Sequence, residues 1–120
     1  MKLVIAALGL AAAGAVGCAS TPVPAAQVAS AETTVRTARE AGADRVPEAN
    51  RHLQMADDQL GQAKKLIKKG DNDKAAALLS RSQSDAALAT GLTQEAQQAA
   101  ARDAANQRVR AMTSAAVERK

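Results

Sequence analysis

The sequence predicts an all-α fold: an antiparallel helical hairpin, a shorter helix before it, and a long third helix running past its end. Two observations carry this. Around Gly70-Asp71-Asn72-Asp73, small and apolar residues recur at helical spacing on both sides, in mirror order. Before the turn they are Ala49, Leu53, Ala56, Leu60, Ala63 and Ile67; after it, Ala75, Leu79, Ser82, Ala86, Ala89 and Thr93. Folded antiparallel, the facing pairs have indices summing to 142: Ile67 with Ala75, Ala63 with Leu79, Leu60 with Ser82, Ala56 with Ala86, Leu53 with Ala89, and Ala49 with Thr93. Most layers oppose a long side chain to a small one, which lets two helices approach closely without voids. The second observation is composition. The 120 residues include no Phe, Tyr or Trp, and alanine dominates among Lys, Arg, Glu and Gln. That composition forms helices and offers almost no β-branched run for a sheet. So small a core, without aromatics, predicts a domain of only a few kcal/mol, leaning on an anchor, a partner or self-association.

Residues 1–17 read as a signal peptide. Lys2 supplies a positive start, and Leu3 to Val16 is an unbroken run of apolar residues and glycine, too short to span a bilayer. Small residues then lead to Cys18, the only cysteine, so no disulfide can form within the chain. An ordinary small-x-small cleavage site would also be met by Ala15 and Gly17. Residues 18–24 form a tether that two prolines keep extended.

Helix 1 is expected from about Ala25 to Ala41, with Val28, Ala31, Val35 and Ala38 as its apolar stripe and Glu32 with Arg36 as an i,i+4 pair. Gly42 takes the C-terminal cap position, and Pro47 fits the first turn of helix 2, which runs to about Lys69. Asp71 or Asp73 is expected to cap helix 3. Helix 3 meets no proline and only Gly91, a penalty of about 1 kcal/mol. Helix 2 can cover it to about Glu95. The domain is therefore drawn as 25–101, with 102–120 a helical or frayed extension whose stripe of Ala105, Val109, Met112 and Ala116 is out of phase with the seam.

Five lysines, Lys64, Lys65, Lys68, Lys69 and Lys74, crowd the turn. They complement the C-terminal dipole of helix 2 and form a solvated face. They also suit a surface of anionic headgroups, at about 1 kcal/mol each. Helix 1 must return antiparallel to helix 2, which brings the start of helix 1 to the same end as these lysines.

Little points to catalysis. His52 has Glu48 one turn before it but no second His or Cys at ligand spacing, so no metal site is expected. Adjacent Asp57 and Asp58 point to different faces, and Ser80, Ser82 and Ser84 have no base beside them. Phosphate loops, nucleic-acid motifs and stacking aromatics are missing. The expectation is a protein that is not an enzyme, has no cofactor and binds no nucleic acid.

Four resemblances add to this reading. Ala15-Val16-Gly17-Cys18 resembles the lipobox of bacterial lipoproteins, with Ala15 where leucine is usual. The resemblance implies a diacylglycerol thioether on Cys18, cleavage before it and acylation of the new amine. Ala19, which is not aspartate, then implies the outer membrane, with the chain on its periplasmic face. Ala25 to Glu32, Pro47-Glu48-Ala49 leading to Leu53, Lys69 to Ala76, and Asp85 to Ala89 together resemble the alanine-rich bacterial envelope family called domain of unknown function 4398. The Gly-Asp-x-x-x-Ala turn is similar to the loop of a tetratricopeptide-repeat (TPR-like) unit, present here once. The family implies a lipid-anchored envelope scaffold; a small adaptor docking a periplasmic partner is the alternative. Arg119-Lys120 resembles the end of the Braun-type lipoprotein, which implies Lys120 as a covalent attachment point to peptidoglycan.

Overall fold

The computed structural model describes residues 21–119. Its elements are α1 (Ala25–Glu40), a 3-10 turn (Ala43–Arg45), α2 (Pro47–Lys69) and α3 (Asn72–Glu118), with no strand among the described residues. The all-α hairpin with a shorter first helix and a long third one is therefore the fold.

The hairpin packs on the predicted seam. Ala49, Leu53, Ala56, Leu60 and Ala63 of α2 are buried, as are Ala75, Leu79, Ser82, Ala86, Ala89 and Thr93 of α3; Ile67 is half-buried at the turn. Its two buried hydroxyls are satisfied. Ser82 Oγ donates to the Ala56 carbonyl at 2.8 Å, and Thr93 Oγ1 to that of Ala89 at 2.8 Å. The first bond fits the register, because a helical carbonyl at 56 points toward residue 60, the layer facing Ser82. Packing a serine there lets the helices close without orphaning a polar group.

Ala31, Val35 and Ala38 bury the inner stripe of α1 against this pair, with Val28 half-buried. Four polar contacts fix its direction. Glu32 pairs with Lys64 at 2.6 Å and Arg39 pairs with Asp57, so α1 and α2 are antiparallel. Gln27 Nε2 donates to the Ala76 carbonyl at 3.5 Å and Gln97 Nε2 to that of Ala41 at 3.1 Å, so α1 and α3 run parallel.

The structure departs from expectation at three places. Helix α1 ends one residue early, with Ala41 as cap; Gly42 follows at φ +92°, left-handed, its N–H bonded to the Arg39 carbonyl. Glu32 turns to Lys64, leaving Arg36 to pair loosely with Glu40 at 3.7 Å, because a cross-helix partner is in reach. Neither Asp71 nor Asp73 caps α3 through its side chain. Asp71 holds Lys74 Nζ at 2.8 Å instead, while the chain reverses through Gly70 at φ +80°. Of the two forms expected for the extension, the helical one is seen: α3 is continuous for 47 residues, about 70 Å, since its alanine-rich tail contains no residue that stops a helix.

Candidate functional site

The end of the molecule at the central turn collects what the sequence singled out. Both Gly42 and Gly70 reverse the chain, so α1 begins where α2 ends. Pro24 is extended at φ −61°, ψ 135°, and Val23 is half-buried against the core. The segment leading into α1 is thus held at the turn end rather than left as a free tether. Cys18 and Lys120 lie outside the described residues.

The five lysines do not act as one group. Lys64 is tied to Glu32 and Lys74 to Asp71. The Asp71 carboxylate, by hydrogen bond and then by charge, raises the Lys74 amine above its ordinary range. Lys65, Lys68 and Lys69 are exposed near the end of α2 and enter no ion pair among the described residues. Those three are what this end presents to a surface.

A second feature lies on the hairpin face turned away from α1. There Glu48, His52, Met55, Gln59 and Leu66 of α2 flank Leu78, Arg81, Asp85, Leu88, Leu92 and Glu95 of α3 along one groove. It widens at each end into an open hollow. The larger, of about 600 Å³, is lined by Val46, Glu48, Leu92, Glu95, Ala99 and Arg102 among others; the smaller, of about 280 Å³, by Leu66, Lys74, Ala77, Leu78 and Arg81. Between them Asp85 is held from both sides: His52 Nδ1 lies 3.1 Å from Oδ1, and Gln59 Nε2 donates to Oδ2 at 2.8 Å. Gln59 Oε1 is buried without a partner among the described residues. His52 therefore looks across to α3, not back to Glu48 on its own helix.

The adaptor alternative named no residues for this groove, although their signal was present. Leu66 with Leu78, Gln59 with Asp85, and His52 with Leu92 sum to 144 and repeat every seven residues beside the seam. The His52-Asp85-Gln59 link ties α2 to α3 across the groove. Asp57, one of the adjacent aspartates, is spent on Arg39. Among the described residues no cluster of three metal-ligating side chains occurs, and no helix is long and apolar enough to cross a membrane. Comparison with family models, with curated proteins and with solved structures finds no match.

Proposed function

We propose that the chain is a lipid-anchored helical scaffold of the bacterial cell envelope, held through Cys18 at the periplasmic face of the outer membrane. Its role in this reading is mechanical rather than catalytic. One observation carries the proposal: the start of α1, into which the residues after Cys18 lead, lies at the same end as Lys65, Lys68 and Lys69. An anchor and a cationic surface on one end cooperate. The acyl chains on Cys18 would hold the protein at the bilayer, and nearby basic residues add about 1 kcal/mol each at an anionic surface. Glu32 and Asp71 already engage the other two lysines, so the free three do the attracting.

Expression of a Cys18→Ala variant tests the anchor. It should leave the membrane fraction and lose the mass of the attached lipid, either as an uncleaved precursor or as a soluble form. Unchanged fractionation and unchanged mass overturn the reading.

The groove away from α1 favours a second reading, a module that docks a helix. Pulldown from solubilised envelopes separates the two: a stoichiometric foreign protein favours the module, and none favours the scaffold.

A further inference from the structure

The groove and the tail of α3 are both exposed, and their spacings match in reverse. Asp85, Leu88, Leu92 and Glu95 climb the groove side of α3 at intervals of 3, 4 and 3. Of these, Leu88 and Glu95 continue at seven-residue steps into Arg102 and Val109 of the tail, one stripe in which Glu95 with Arg102 and Leu88 with Val109 both sum to 197. We propose that two copies of the chain associate antiparallel through α3, each laying its 102–112 segment into the groove of the other.

Such a contact is isologous and closes on itself, as a two-fold dimer must. Its chemistry fits layer by layer. Within one chain Glu95 and Arg102 are seven residues apart, about 10 Å along the helix, and form no ion pair. Across the dimer each Arg102 meets the partner copy's carboxylate at 95, beside that of Glu48, which lines the same hollow. Next come the exposed apolar residues: Leu88 (46% exposed) and Met55 (43%) receive Val109 (57%).

Other arrangements of the same stripe set like charges together, which selects against them. A parallel pair places Arg102 against Arg102. Tail on tail, with Ala105 facing Ala116 and Val109 facing Met112, places Arg102 against Arg119 and Asp103 against Glu118. The favoured register also has a natural end. Past Val109 the stripe reaches Ala116 opposite Arg81, and Arg119 would approach the hollow holding Lys74 and Arg81. In the dimer the two turn ends stand about 80 Å apart, at 1.5 Å per residue.

Cysteine cross-linking of the full chain tests the register, in a Cys18→Ser background where the introduced thiols are the only ones. Leu88→Cys and Val109→Cys chains, purified separately and mixed under mild oxidation, should give a disulfide dimer that neither gives alone. A Val109→Cys homodimer, or no dimer in the mixture, overturns the proposal. Glu95→Arg or Arg102→Glu should each lower the mixed yield about three- to tenfold by replacing attraction with repulsion, and the two together should restore it. Failure of the double variant to recover, with helicity by circular dichroism unchanged, overturns the register. The outcome is independent of lipidation, so it stands or falls apart from the envelope proposal.

Discussion

From Asn72 to Thr93, α3 buries a residue every three or four positions against α2 or α1; from Gln94 to Glu118 the same helix, richer still in alanine, buries none. The backbone is identical in the two halves, and what holds it is not. In the first half each turn is fixed by a layer: a leucine faces an alanine or a serine in three of them, and Ala56 faces Ala86 in another. In the second the helix rests on intrinsic propensity and on continuity with a formed helix, which removes the cost of nucleation. A change of side chain should therefore act through packing in one half and only through propensity in the other.

The strongest break of this contrast is a cavity. Leu79 is fully buried opposite Ala63, whereas Val117 is 70% exposed. Leu79→Ala should cost about 2–5 kcal/mol, comparable to the whole stability of so small a core, and should largely unfold the hairpin. Val117→Ala should leave the urea midpoint where it is. Equal effects would mean that the tail is packed in solution as tightly as the hairpin.

Overpacking gives the next largest effect. Ala56 and Ala86 meet at a layer with no room, both fully buried. Ala56→Leu or Ala86→Leu should cost about 1–3 kcal/mol; Ala99→Leu, on the exposed part of α3, should be nearly neutral in a thermal melt of dilute protein. If all three melt alike, the layers are not those that hold the helices.

This contrast also explains which parts of the structure were legible beforehand. The seam was, since each half of a two-helix contact carries its own periodicity and the turn fixes how they register. Gly70 and Pro47 announced the helix ends for steric reasons that no neighbour can alter. The polar partners were not legible. Glu32 has Arg36 one turn away but bonds Lys64, and Asp71 had the sequence of a cap but holds Lys74. Long side chains choose among several partners within reach, and the choice depends on where a neighbouring helix ends up. The groove escaped for a related reason: His52, Gln59 and Asp85 are polar, so a search for apolar spacing skips them, although they repeat in step with Leu66, Leu78 and Leu92. At the turn end the lysines were visible as a cluster, but which three of the five are left free depended on Glu32 and Asp71.

The smallest effect expected separates the halves by pH. Asp71 raises the Lys74 amine above its ordinary value, so the folded chain holds that proton more tightly than the unfolded one does. The sign follows. The link contributes fully below the unfolded value of 10.5 and is lost as pH rises through the raised folded value. Because Lys74 is exposed, the effect on global stability is slight, and a local probe is needed to see it. The amide of Ala75 is suitable, since it donates to the Asp71 carbonyl at 3.1 Å in the first turn of α3. Its resonance should shift with the titration of Lys74 in the alkaline range, and Asp71→Asn should bring that titration back toward the ordinary lysine value. Between Gln94 and Glu118 there is no lysine, tyrosine or cysteine, so the amide of Ala104 should stay flat over the same range. A step of equal size at both amides would mean that the turn and the tail melt together. Silence at both would mean that Asp71 releases Lys74 in solution, leaving a fourth free lysine at the end of the molecule assigned to the membrane.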